Sequence, residues 1–159
     1  VRATGGENDL LMFTRNGMGI RFTEADVRPM GRASQGVRGI KLKAGDQVVA
    51  AASDEEGDEL LLLTSGGYGK RTLTADFRRQ KRGGLGVKAM KLTRVRGTLV
   101  DARAVAPGTE VFVISSDGIV IRQAVDEISR HKRESTGVRV MNLDGDAELS
   151  AVALVPPEE

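Results

Sequence analysis

Three stretches of this chain repeat one another in fixed register, and that self-similarity restricts the possible folds more than any other feature. Arg21, Arg71 and Arg122 stand 50 and 51 residues apart, and Gly36, Gly86 and Gly137 repeat the same two intervals. After each glycine come valine and a base, as Val37-Arg38, Val87-Lys88 and Val138-Arg139, and six residues past it stands Leu42, Leu92 or Leu143. A period of this length marks a solenoid, propeller or array, in which one unit cannot bury its apolar face alone and stacked neighbours supply the core.

Each copy opens on a hairpin. Apolar runs at 10–14 and 19–23 flank Asn16-Gly17, those at 60–64 and 69–73 flank Gly66-Gly67, and those at 111–114 and 119–122 flank Asp117-Gly118. Asn-Gly and Asp-Gly between apolar runs are strong hairpin signals. About a dozen polar residues then lead to the repeated glycine. The spacing predicts a strand there, such as 36–42, a turn at Gly45-Asp46 or Gly145-Asp146, and a last strand at 48–52, 99–105 or 149–155.

No stretch carries a helix-length apolar period, so the fold class is all-β. Four strands in each of three repeats of about 50 residues is the arithmetic of a blade in a β-pinwheel or propeller-like array. The expected organisation is one domain, with blades at 10–52, 60–105 and 110–155, the end of a preceding blade at 1–9, and a tail at 156–159. Stepping back 50 residues from Ala51 reaches Val1, and the chain opens without methionine, so a fragment of a longer repeat protein is expected.

The charge is sorted by position. The windows 21–41, 71–91 and 122–142 carry 17 basic and 6 acidic residues, a net +11, which leaves −9 for the rest of a chain whose total is +2. Scattered solvated charges do not segregate in this way three times over. With no cysteine, disulfides and thiolate metal sites are excluded, and with no apolar run of membrane length the expected setting is cytoplasmic, without a membrane partner.

The densest basic window holds Gln80-Lys81-Arg82-Gly83-Gly84-Leu85-Gly86-Val87-Lys88. Its three glycines free the backbone to approach a partner closely, and Arg78, Arg79, Lys81, Arg82 and Lys88 make that partner anionic. A nucleotide phosphate loop requires Ser or Thr directly after its Gly-Lys, whereas Ala89 follows Lys88 here.

Catalysis finds little support. The lone histidine, His131, lies between Arg130 and Lys132 and reads as a solvated loop residue. Tyr68 reads as a turn residue covering a strand end, and the acidic run 54–59 as a solvating loop. With 3% aromatic residues the chain has few platforms for stacking single-stranded bases, whereas Arg and Lys beside open glycine amides suit the phosphates of duplex DNA.

With Gln80 to Gly86 in its second copy, the repeat resembles, across essentially the whole chain, the C-terminal domain of the DNA gyrase A subunit, closest to the actinobacterial form. The family's box is Gln, two bases, Gly-Gly, a base and Gly; six of seven positions agree, and Leu85 replaces the third base. Ser34-Gln35-Gly36-Val37-Arg38 and Ser135-Thr136-Gly137-Val138-Arg139 resemble the degenerate boxes of other blades.

The resemblance implies the last three blades of a six-bladed β-pinwheel whose basic rim wraps duplex DNA. The implied contacts are Arg21, Arg38, Arg71, Arg78, Arg79, Gln80, Lys81, Arg82, Gly83, Gly84, Gly86, Lys88, Arg122, Arg130, Lys132, Arg133 and Arg139. It also implies a non-catalytic piece of an ATP-dependent type II topoisomerase that introduces negative supercoils. The cleavage tyrosine, ATP and magnesium sites would lie in other domains and in the gyrase B protein, the partner in an A2B2 assembly. This chain would hold no cofactor or metal of its own and would be cytoplasmic, on the bacterial nucleoid. The alternatives are the topoisomerase IV counterpart, a propeller-like protein-interaction module and a propeller enzyme. The box at 80–86 disfavours the first, the repeated basic slot the second, and the absence of convergent acids and bases the third.

Overall fold

The computed structural model describes residues 3–158. The expected strand end at Val1-Arg2 and the tail residue Glu159 lie outside them. Eleven strands are present: β1 Asp9–Thr14, β2 Met18–Thr23, β3 Val48–Ser53, β4 Glu59–Thr64, β5 Tyr68–Leu73, β6 Val87–Lys88, β7 Leu99–Val105, β8 Glu110–Ser115, β9 Val120–Ala124, β10 Val138–Arg139 and β11 Leu149–Val155. The helical content of the described residues is four single 3-10 turns, one each after β2, β3, β5 and β9.

The hairpins form where the Asn-Gly, Gly-Gly and Asp-Gly pairs stand. Gly17, Gly67 and Gly118 take φ of +85°, +84° and +89°, conformations that a side chain disfavours. The strands assemble into sheets ordered β3-β1-β2-β6, β7-β4-β5-β10 and β11-β8-β9.

That order corrects the expected blade in one respect. The fourth strand of a sheet does not come from its own copy. β6 of copy two pairs antiparallel with β2 of copy one, setting Val87 opposite Gly19, and β10 of copy three pairs with β5 of copy two, setting Val138 opposite Gly69. Each of these strands is only two residues long, and no strand forms over 36–42 in copy one. The third sheet has three strands among the described residues, with β9 at its edge.

The blades stack through two apolar layers. Leu11, Phe13, Leu60, Leu62, Phe77, Met90 and Ala102 form one, and Leu61, Leu63, Val111, Val113, Ile128 and Met141 form the other. β4 therefore contributes to both: its even leucines face blade one and its odd leucines face blade three. A central strand buried on both sides reads as an uninterrupted apolar run, and 60–63 is four leucines. Phe13 and Phe77 meet edge to face across the first layer, 5.7 Å between centroids.

Candidate nucleic-acid interface

The loop from Gln80 to Gly86 is built upon blade one. Gln80 N donates to Arg21 O (2.7 Å), Gly83 N to Gly39 O (2.6 Å), and Lys41 N returns a bond to Gly84 O (2.8 Å). Gly86 sits at φ +76°, where a Cβ would stand 2.3 Å from Gly19 O, so glycine is required for both conformation and contact. Arg82 bends inward, donating from Nε to Asp26 O (3.0 Å) and from Nη1 to Arg38 O (3.2 Å). Arg78, Lys81 and Lys88 stay exposed, with no side-chain partner among the described residues. Leu85 is 44% exposed on the same loop.

Two of the repeated arginines have other work. Arg21 Nε donates to Asp9 Oδ2 (2.7 Å) and its Nη1 to the carbonyls of Thr74 (3.1 Å) and Phe77 (3.3 Å) in copy two. Arg71 repeats the arrangement one blade on, pairing with Glu59 (2.8 Å) and donating to Ile128 O (2.6 Å) and Asp126 O (3.1 Å). Arg79 and Arg130, each from the following copy, complete the triads by pairing with Asp9 and Glu59. Burial pushes the Asp9 carboxyl up, but hydrogen bonds from Arg79 and Arg21 outweigh it and hold the group below its usual range. Arg21 and Arg71 are thus inter-blade latches with most of their donors committed, while the guanidinia of Arg79 and Arg130 stay more than half exposed. Arg122 pairs with Glu110 and lies over the Phe112 ring (5.5 Å). The acidic run contributes here as well: Glu59 is buried, and Asp54–Glu56 forms a 3-10 turn closed by a Ser53–Glu56 capping box.

The corresponding loop of copy three lacks the first two glycines of the box and is held differently. Lys70, wholly buried on β5, donates from Nζ to the carbonyls of Lys132 (3.0 Å), Arg133 and Ser135 (3.1 Å). Burial, with a smaller push from the Arg133 charge, lowers its pKa to about 8. Arg133 donates to Lys88 O, and Lys91 N to Ser135 O (3.2 Å), so the second and third basic segments are contiguous. His131 is half-buried rather than solvated: its amide donates to Arg71 O (2.8 Å), and its Nε2 is covered without a hydrogen-bond partner among the described residues. Gly137 repeats Gly86, with an added Cβ 2.6 Å from Gly69 O. Lys132 is exposed and Arg139 reaches the ring of Tyr68.

Tyr68, which opens β5, is flanked by two guanidinia, Arg96 at 4.5 Å and Arg139 at 5.6 Å from its centroid. Its hydroxyl accepts from Arg139 (3.0 Å), which draws the phenol pKa down. Neither Lys70 nor Arg96 stands out in the sequence, because Lys70 aligns with Ile20 and Ile121 and Arg96 stands in a turn where the other copies carry aspartate, so neither repeats.

A family model described as DNA gyrase C-terminal domain, beta-propeller, matches three successive segments, residues 8–53, 58–106 and 109–156. The chain belongs to the DNA gyrase C-terminal domain family. It is 40% identical over 161 residues to the DNA gyrase A protein of Staphylococcus epidermidis ATCC 12228, and 39% identical over 158 residues to that of Haloquadratum walsbyi. These alignments take in 100% and 98% of the chain and 18% of each relative's length. Among solved structures, a DNA gyrase A C-terminal domain superposes with TM-score 0.84 at 31% identity, over 92% of this chain and 50% of that one. The C-terminal domain of a DNA topoisomerase IV superposes at 0.90 with 24% identity, over 98% and 49%, which shows a shared fold. The pinwheel of blades expected of the gyrase family is the fold observed, with its fourth strands exchanged.

Proposed function

We propose that this chain is a duplex-DNA-wrapping segment of a gyrase A protein. The observation that carries the reading is that each basic loop of copies two and three is anchored to the preceding blade, with cations left outward on both. In copy two the box backbone hydrogen-bonds to blade one, so Arg78, Lys81 and Lys88 face solvent. In copy three Lys70 draws the loop carbonyls inward, and Lys132 faces solvent. Arg38, Arg79, Arg130, Arg133 and Arg139 extend this track, with Arg82 beneath it on the carbonyls of Asp26 and Arg38, and Gly84 and Gly86 keep the backbone open along it. Arg21 and Arg71 serve it indirectly by latching blade to blade.

Bending a 20–30 base-pair site by 40–90° costs of order 1–6 kcal/mol, so wrapping needs cations spread along an arc rather than one strong contact. A stack of blades supplies that arc. Within a larger ATP-dependent type II topoisomerase, with the rest of the gyrase A protein and with the gyrase B protein in an A2B2 assembly, the wrap would present a neighbouring segment of the same DNA in one hand and so favour negative supercoils. ATP and magnesium would act in those other parts, and the setting would be the bacterial cytoplasm, on the nucleoid. The topoisomerase IV counterpart is the second reading; the near-intact box at 80–86 and the gyrase relatives at 40% identity favour gyrase.

Binding to a duplex of about 40 base pairs across a salt series tests the proposal. With about eight phosphates neutralised the log–log slope is expected near −7, and Arg78→Ala/Lys81→Ala makes it shallower by about 2. Flat or absent binding, or a slope unchanged by that pair, overturns it.

A further inference from the structure

One basic turn lies outside the box loops, against that of copy three. The turn Thr93-Arg94-Val95-Arg96-Gly97 precedes β7, where copies one and three carry Lys43-Ala44-Gly45-Asp46 and Asp144-Gly145-Asp146. Two blades thus place aspartate in this turn, and blade two places two arginines around a valine. Val95 is 69% exposed, the most exposed large apolar side chain among the described residues.

The turn is held firmly. Gly97 N donates to Thr93 O (3.0 Å), Gly66 N to Arg96 O (2.9 Å), and a Cβ on Gly66 would stand 2.3 Å from Val95 O. Arg96 is fixed twice more, over the Tyr68 ring at 4.5 Å and by donating from Nε to Thr136 O (3.1 Å). That bond sets the turn beside the basic loop of copy three. Arg139 lies against the same tyrosine. Among the described residues no carboxylate comes within ion-pairing distance of Arg94, Arg96 or Arg139.

We propose that this turn is a second duplex-DNA contact on blade two, in which Arg94 and Arg139 hold phosphates on either side of a minor groove and Val95 enters it. The inference rests on the DNA-wrapping reading above. Uncompensated cations flanking an apolar tip match the chemistry of that groove, whose negative potential attracts Arg and whose base steps accept apolar wedges. Pre-stacking on Tyr68 means that Arg96, which orients the turn, loses little side-chain freedom on binding.

The test uses the full chain and a 40 base-pair duplex, comparing the parent with Arg94→Ala, Val95→Ser and Lys81→Ala across a salt series, with and without netropsin as a minor-groove competitor. All three substituted side chains are exposed, and a thermal melt of each variant should coincide with the parent's. Arg94→Ala is expected to reduce the slope by about 0.9. Val95→Ser is expected to weaken binding several-fold at unchanged slope, a difference that netropsin erases. Parent-like binding by both Arg94→Ala and Val95→Ser, while Lys81→Ala loses affinity, overturns the second contact and leaves the wrapping reading standing. Salt-insensitive binding by the parent overturns both.

Discussion

Gly86 and Gly137 each press against a carbonyl of the preceding blade, whereas Gly36, their equivalent in copy one, has nothing within 4 Å of an added Cβ. All three hold φ near +76°. Alanine at Gly36 therefore meets backbone strain alone, about 1 kcal/mol, and alanine at Gly86 or Gly137 adds a steric clash, for about 3 kcal/mol. Urea denaturation should rank the variants in that order; equal losses would contradict the close approach. Lys70 gives a pH signature. Its folded pKa of about 8 lies below the ordinary value of 10.5, so between those values the unfolded chain holds more protons. Stability on its account rises with pH across that window, by up to about 1.4 kcal/mol per unit, and Lys70→Met should remove the rise from a pH series of melts. The register of the arginines was legible in the sequence, but their role as latches was not, since a charge pattern does not reveal where a side chain bends. A clue was present: Asp9, Glu59 and Glu110 each stand 12 residues before the repeated arginine.

At the scale of elements, the hairpins were readable because glycine turns and apolar runs act locally. The exchanged strands were not, because two residues show no periodicity and their partners lie in another copy. What binds them is a short ladder extended onto one carbonyl each, Gly17 O accepting from Ala89 N (2.7 Å) and Met90 N (3.3 Å) and Gly67 O from Val140 N (2.8 Å) and Met141 N (3.1 Å). Val140→Pro deletes the Val140 donor and should free β10 from β5. Hydrogen exchange should then speed up at Met141 while the β4–β5 hairpin amides keep their protection; unchanged exchange at Met141 would show that the ladder contributes nothing.

For the whole molecule, the two apolar layers share β4, which couples all three blades. Leu61→Ala opens a cavity toward blade three and Leu62→Ala one toward blade one, each at about 3 kcal/mol. Both should shift the same single unfolding transition, seen alike by far-ultraviolet dichroism and by tertiary probes. Two separable transitions would mean that the blades fold independently. The fold class and the sorting of charge were both legible, because stacking, and on the proposed reading phosphate binding, each impose a period on the chain. The continuity of the basic surface was not, since it depends on Arg133 meeting Lys88 across a blade boundary.

The exchanged strands also constrain how such an array can be lengthened or shortened. A gene duplication whose breakpoints fall between blades would copy a sheet without its last strand and leave a donor segment with no acceptor. The heritable unit is the sequence period, which carries one strand for its neighbour, so each added copy arrives already joined to the one before it. An engineer who splices blades from two relatives should expect the junction to function only when the donated segment and the strand that receives it come from the same parent.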